Sequence, residues 1–216
     1  MAALQVCMIG AGRVGKLHSE TLTRFVPNVE IPSIVDTSKD VLNKTADQFG
    51  IPNRYTSLEE ALDQSTFSAV VITTPTFTHK KLAVLAAEAG KHIFLEKPMA
   101  LNLEECDAIS HAAEKNDVII QLGFMRRFDP EFVAAKSRIE SGEIGEPIMI
   151  KSLTNGPGLP PDWANDLKTS NGMLAEVNSH DWDCVRWLMD SNPKRVYVET
   201  ANYKGEARGV TTEHFY

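Results

Sequence analysis

Leu4-Gln5-Val6-Cys7-Met8-Ile9-Gly10-Ala11-Gly12-Arg13-Val14-Gly15 is the stretch that decides the fold. A short apolar run ends in glycine, and a G-x-G-x-x-G turn opens directly into a helical stretch over 13–25. Each glycine answers a separate demand. Gly10 permits a sharp turn, Gly12 lets the backbone approach a pyrophosphate with no Cβ in the way, and Gly15 lets helix and strand pack closely. The N–H groups that open the helix, at Arg13 and Val14, face such an anion together with the positive end of the helix dipole. A second apolar run over 31–35 ends at Asp36, about twenty residues past the last glycine, where a dinucleotide fingerprint places an acid. Its carboxylate suits the ribose hydroxyls of an adenosine and repels a 2′-phosphate. NAD is therefore expected, with NADP the alternative, since Lys39 and the hydroxyls of Thr37 and Ser38 weaken the preference.

Downstream the alternation continues. Ser38 stands where a helix cap belongs, and that helix breaks at Gly50 and Pro52. Residues 68–73 form a β-branched run, 80–89 an Ala/Leu-rich helix closed by Gly90, and 92–95 and 118–122 two more strands around a helix over 103–115. Short apolar strands alternating with helices signal a parallel sheet covered on both faces. After Asp129 the pattern changes. A helix over 130–141 leads to Gly145-Glu146-Pro147, then a strand over 148–153 and a Pro/Gly loop over 155–161. A helix over 173–189 follows, then strands over 195–203 and 211–216 around a hairpin at Lys204-Gly205. The expected fold is α/β: a doubly wound Rossmann domain over 1–124, then the start of an α+β domain over 125–216 with a mostly antiparallel open sheet. The chain ends inside an apparent strand, which leaves an edge unpaired. An incomplete sheet, or another chain covering that edge, is expected.

Composition narrows the function classes. At 43% hydrophobic residues the chain has enough apolar material for a sizeable core. A net charge of -7 argues against a general nucleic-acid or membrane-surface binder, because anionic partners are repelled. Cys7, Cys106 and Cys184 fit no metal-ligand spacing, so no metal is expected. Cys7 and Cys184 sit among apolar residues, as thiols acting as small hydrophobes do. The N-terminus runs straight into a strand, and no apolar run approaches a membrane span. A soluble protein of a reducing cytoplasm is the expectation.

Val70-Val71-Ile72-Thr73-Thr74-Pro75-Thr76-Phe77-Thr78-His79 and Gly90-Lys91-His92-Ile93-Phe94-Leu95-Glu96-Lys97-Pro98, with the glycine turn, carry a resemblance. The chain resembles the Gfo/Idh/MocA family, the relatives of glucose–fructose oxidoreductase and inositol dehydrogenase, over nearly all its length. Gly123-Phe124-Met125-Arg126-Arg127-Phe128-Asp129 and Ile144-Gly145-Glu146-Pro147 are similar to the inositol dehydrogenase branch in particular. The resemblance implies that Glu96-Lys97-Pro98 lies at a strand end, with a commonly cis proline bond that aims Lys97 at nicotinamide and substrate. Thr73, Thr74, Glu96 and Lys97 do fall at the carboxyl ends of strands, where open α/β sheets bind ligands. With Pro75 and His79 from the same block, they join Gly10, Gly12, Arg13, Val14, Gly15 and Asp36 as the expected cofactor contacts.

On the helix over 173–189, Glu176 and His180 are four apart and so share a face, with Asp183 three further on. By spacing alone this is an ordinary surface ion pair, worth little. The resemblance implies more: a histidine acid/base with a carboxylate partner, here Glu176 where the family usually has aspartate. The implied catalytic set is Lys97, Glu176 and His180. His180 takes the proton of a secondary hydroxyl as its C–H hydride leaves, and Lys97 stabilises the oxygen. The implied substrate contacts are Lys97, Arg127, Asn155, His180 and Asp183. Trp182 and Trp187 read as core, Trp163 as a loop anchor or a cover, and His18 as a packing residue. The expected activity is NAD-dependent oxidation of a cyclic polyol or sugar, of the inositol 2-dehydrogenase kind. The alternatives are an NADP-dependent aldose, nucleotide-sugar or dihydrodiol dehydrogenase, or a non-catalytic dinucleotide-binding regulator. The resemblance also implies a homodimer or homotetramer and a longer chain with further strands.

Overall fold

The computed structural model describes residues 2–154, 161–201 and 214–215. The chain divides into two compact units, Met1–Gly123 and Phe124–Tyr216. In the first, β1 (Leu4–Ile9), α1 (Arg13–Phe25), β2 (Val29–Val35), α2 (Lys39–Phe49), β3 (Asn53–Tyr55), α3 (Leu58–Gln64), β4 (Ala69–Ile72), α4 (His79–Glu88), β5 (His92–Leu95), α5 (Leu103–Lys115) and β6 (Ile120–Leu122) follow in order. The six strands make one sheet, β3-β2-β1-β4-β5-β6, with every described pairing parallel. Strand order reverses between β1 and β4, and at such a switch point a crevice opens at the carboxyl ends.

Alternation along the strands builds two cores. Cys7, Ile9, Val70, Ile72, Ile93 and Leu95 face α3, α4 and α5, whose Ala61, Ala83, Ala86, Ala87, Ile109 and Ala112 pack against them. Val6, Met8, Ile34 and Val71 face the other way onto Leu42 and Ala46 of α2, with Leu22 of α1 at the edge. Small alanines on the helices let them lie close to the sheet. Burial pushes the Cys7 thiol up to about 12, so it behaves as an apolar group. The strand β3 and helix α3 lie in a stretch to which the sequence reading assigned no element. Asn53-Arg54-Tyr55 has no apolar run, and its pairing to Ser33, Ile34 and Val35 makes it a strand.

The second unit holds α6 (Pro130–Glu140), α7 (Asp162–Asn165), α8 (Leu167–Ser170), α9 (Gly172–Glu176) and α10 (Ser179–Met189), with β7 (Thr200–Ala201) paired antiparallel to β8 (His214–Phe215). Asp129 caps α6 by accepting the N–H groups of Glu131 and Phe132, and Pro130 occupies its first turn. Three expectations change here. Residues 148–153 carry the right residues for a strand but belong to no ladder among the described residues. A strand exists only where another strand supplies backbone partners. The open antiparallel sheet accordingly reduces, among the described residues, to the two-residue β7–β8 pairing. The hairpin at Lys204-Gly205 and most of the loop over 155–161 lie outside the described residues. Trp182 is 44% exposed, not core, because α10 turns its Asp181, Asp183 and Cys184 side inward.

That inward face is ionic. Oδ1 of Asp181 accepts Arg126 Nη1 at 2.7 Å, Ser152 Oγ at 2.6 Å and Thr154 Oγ1 at 2.8 Å, while Asn178 Nδ2 donates to Oδ2 at 3.2 Å. Burial works against the Asp181 charge, but the hydrogen bonds from Arg126, Ser152 and Thr154 outweigh it and hold the carboxyl below its usual range. The neighbouring arginine forks onto the next inward acid: Arg127 Nε and Nη2 reach Asp183 Oδ2 and Oδ1, each at 2.8 Å. Two consecutive arginines thus fasten α10 to the short 3-10 turn Met125–Arg127. Replacing Asp181 with alanine leaves a largely buried guanidinium unpaired. Asp181→Ala should destabilise the protein by about 3 kcal/mol, read as a lowered urea midpoint, and Asp181→Asn by less.

Candidate active site

The turn between β1 and α1 is built by close contact. Gly10 has φ +98°, and a Cβ there would sit 2.8 Å from Thr73 Oγ1. A Cβ on Gly15 would run into the Gly10 carbonyl. The Thr73 hydroxyl shares its proton between the carbonyls of Ile9 and Gly10, at 3.1 and 3.0 Å. Thr73, expected as a cofactor contact, therefore ties β4 to the turn. Gly12 differs from its neighbours, for a Cβ there would meet nothing within 4 Å. Gly12 caps α1 without a side-chain hydrogen bond, and the first turn, from Arg13 and Val14, carries no acid. A helix start of this kind can accept an anion, and its glycine face is open. Asp36 closes the turn from β2: Oδ2 accepts the Ala11 N–H at 2.7 Å and Oδ1 the Ser38 N–H at 2.8 Å. These residues fit a dinucleotide, whose pyrophosphate would lie over Gly12 and whose ribose would meet Asp36.

A second cluster surrounds the end of β5. The Lys97–Pro98 peptide bond is cis, as the resemblance implied. His79 is 1% exposed and faces two carbonyls, with Nδ1 2.8 Å from Pro98 O and Nε2 2.9 Å from Thr74 O. It thereby joins the loop after β4 to the Lys97 turn, and its burial leaves it no surface for a cofactor. Thr78 Oγ1 donates to Pro75 O at 2.7 Å, so Thr74 Oγ1, 2.6 Å away, donates to Thr78. Glu96 is partnered as well: Oε1 lies 2.8 Å from His18 Nε2, and Oε2 accepts the Lys97 N–H at 3.2 Å. Burial opposes the Glu96 charge, but the His18 hydrogen bond and the charges of His18 and Lys97 together hold its carboxyl below the usual range. His18 is thus more than a packing residue. Its partner is 78 positions away, and no local pattern announces it.

In the second unit the continuous helix expected over 173–189 is broken. Glu176 ends α9, and His180 is the second residue of α10. Between them the N–H groups of Val177 and Asn178 both turn to the Met173 carbonyl, at 3.0 Å each, and end the first helix. Asparagine favours such junctions because its side chain competes with helical backbone bonds, and here it reaches Asp181. The face-sharing argument for Glu176 and His180 does not apply across this break. Arg127 and Asp183, both expected to grip substrate, hold each other: each Asp183 oxygen accepts one Arg127 nitrogen. The Arg127 guanidinium also lies over the Trp187 ring, 5.9 Å from its centroid. Asn155 lies outside the described residues.

The two carbonyls around His79 set a pH dependence. A neutral imidazole has one N–H and serves one of them, and protonation is opposed by burial, which holds the ring below its ordinary value of 6.5 despite the carbonyls. Below 6.5 the unfolded chain then binds a proton that the folded chain refuses, so stability falls as pH drops through that range. Urea midpoints measured from pH 7.5 down to 5.5 should decrease, and His79→Gln should flatten that slope while lowering stability at pH 7.5.

Comparison with known proteins bears on this geometry. The family model described as "Oxidoreductase family, NAD-binding Rossmann fold" matches residues 4–124. The model described as "GFO/IDH/MocA C-terminal domain" matches residues 132–215. The chain is 40% identical over 186 residues to scyllo-inositol 2-dehydrogenase (NAD(+)) of Bacillus subtilis, covering 86% of this chain and 54% of that protein. It is 31% identical over 196 residues to myo-inositol 2-dehydrogenase of Thermotoga maritima, covering 91% of this chain and 58% of that protein. Among solved structures, an NAD-binding protein from Listeria innocua superposes with a TM-score of 0.87 at 30% identity, covering 99% of this chain and 60% of that one. The chain spans a little over half the length of the curated relatives it matches. The chain belongs to the Gfo/Idh/MocA oxidoreductase family.

Proposed function

We propose that the protein is an NAD-dependent dehydrogenase that oxidises a secondary hydroxyl of a cyclic polyol of the inositol class. The observation that carries this reading is the pairing of two features on one parallel sheet. An uncapped glycine turn with an open face follows β1, and a buttressed lysine turn follows β5. The relatives' printed activities on scyllo- and myo-inositol support the substrate class. When bound, NAD supplies the hydride acceptor. The protein's residues do the rest. Gly12 and the α1 N-terminus receive the pyrophosphate, and Asp36 receives the adenosine ribose. Lys97 donates to the substrate oxygen and stabilises the charge that grows as its proton departs. His180 takes that proton as general base, with Glu176 as its carboxylate partner. Arg127, Asp183 and Asn155 are assigned to the neighbouring hydroxyls, Arg127 and Asp183 acting as one paired unit.

On the same reading the first unit holds the dinucleotide, and the second contributes substrate contacts and an interface between copies in the cytoplasm. Ile148, Met149, Leu153 and Tyr197 are each at least 80% exposed, which supports a face that is covered in the whole protein.

The test is direct. With scyllo- or myo-inositol and NAD, the full chain should produce NADH, read by absorbance. Lys97→Ala should reduce turnover by about a hundredfold or more while the NADH dissociation constant moves by less than about threefold. Tight NADH binding without turnover of any polyol or aldose would favour a regulator instead. Gly12→Ala and Gly15→Ala separate ligand from fold. The first should weaken NADH binding about tenfold at unchanged Tm, and the second should lower Tm as well, because its Cβ has no room.

A further inference from the structure

We propose that His18 is a positioning residue for Lys97, acting through the Glu96 carboxylate, so that the phosphate-binding helix and the lysine turn are set as one unit. This rests on the reading of Lys97 as the group that stabilises the substrate oxygen. His18 stands on α1, the helix that opens at the glycine turn, and its Nε2 lies 2.8 Å from Glu96 Oε1 at the end of β5. The ring is itself held in an edge-to-face contact with Phe94, at a centroid distance of 5.2 Å and an interplanar angle of 61°. The other Glu96 oxygen accepts the backbone N–H of Lys97. Gly123 lies against the same carboxyl group, where a Cβ would approach three of its atoms at 3.2 Å. Glu96 is thus bounded by an imidazole, a backbone amide and a bare glycine.

The environment makes the bond matter. The side chains of His18 and Glu96 are 24% and 20% exposed, so an unpartnered carboxylate would lose much of its hydration and keep little in return. The charged and titratable groups facing Glu96 are His18 on α1, Lys97 beside it, and His79 on α4, whose ring feels the Glu96 charge. Without His18, the carboxyl titrates upward, and protonation weakens Oε2 as the acceptor that holds the Lys97 amide. The lysine turn then loses its tie on the side of the glycine turn, while His79 keeps its own tie through Pro98 and Thr74. A tie that only joined helix to sheet would instead lower stability and leave the lysine turn alone.

His18→Leu and His18→Gln in the full chain decide between these, because a glutamine amide can donate to Glu96 and leucine cannot. His18→Leu should lower kcat for polyol oxidation about tenfold to a hundredfold, as small displacements of a catalytic group do. NADH affinity should stay within about threefold, and His18→Gln should recover most of the loss. Two measurements need no turnover. In His18→Leu the Glu96 carboxyl, followed by carbon NMR, should titrate at higher pH, and the Lys97 amide should exchange its hydrogen faster; His18→Gln should restore slow exchange. A wild-type chain without polyol turnover defeats the dehydrogenase reading, and the amide exchange then decides the His18 proposal by itself. Unchanged exchange and titration in His18→Leu overturn it, as does a kcat loss that glutamine does not relieve.

Discussion

Between the Gly10 carbonyl and the α-carbon of Gly15 there is room for a hydrogen and nothing larger. That contact sets how close α1 lies to β1, and much of the first unit's chemistry follows from the distance. Brought this near, the helix directs its first N–H groups over the carboxyl end of the sheet, with the bare face of Gly12 among them. It also carries His18 far enough across the sheet to meet Glu96. Thr73, Thr45 and Asp36 then brace the turn from β4, α2 and β2: Thr73 on the carbonyls of Ile9 and Gly10, Thr45 on the carbonyl of Ala11, and Asp36 on the N–H of Ala11. Loops at ligand sites are often mobile. This one is held at both its donors and its acceptors.

The same economy governs the charges. The chain is acidic overall, yet three acids near the proposed chemistry face named donors. Glu96 faces His18 and the Lys97 amide, Asp181 faces Arg126 and two hydroxyls, and Asp183 faces Arg127 through two bonds. Buried carboxylates are costly unless paired. Once paired, they become rigid points that orient what lies beside them. Glu96 orients a lysine amide, and Asp181 and Asp183 lock α10, on which His180 stands. Asp183 in particular does not offer a bare carboxylate to a substrate hydroxyl. On the proposed reading it offers a lone pair beside a guanidinium, with Arg127 and Asp183 as one donor–acceptor unit.

How far the sequence carried this picture depended on whether a feature was local. The glycine turn, α1 and α5 are legible in the sequence, because the turn opens straight into a helix at Arg13 and the helix over 103–115 stands between two apolar strands. The strands β1, β4 and β5 were legible because they are buried on both faces and read as apolar runs. What failed was set by distant partners or by a single kink. β3 is made by β2. Residues 148–153 have strand composition but no strand to join among the described residues. The break at Val177-Asn178 overrode a spacing that looked helical on both sides. His18 reads as packing alone for the same reason: a ring on a helix says nothing about the acid 78 residues later.

The choice between NAD and NADP illustrates what the bracing does to chemistry. Asp36 already accepts two backbone N–H bonds, one on each oxygen. It has lone pairs left for ribose hydroxyls, but it cannot swing aside without releasing both Ala11 and Ser38. A 2′-phosphate would therefore meet a carboxylate fixed in place, and the repulsion could not be relaxed by a change of rotamer. Lys39, three residues on and exposed, offsets little of that repulsion, because charges in solvent are screened. On the proposed reading the preference for NAD is electrostatic, and it is as firm as the turn that holds the acid.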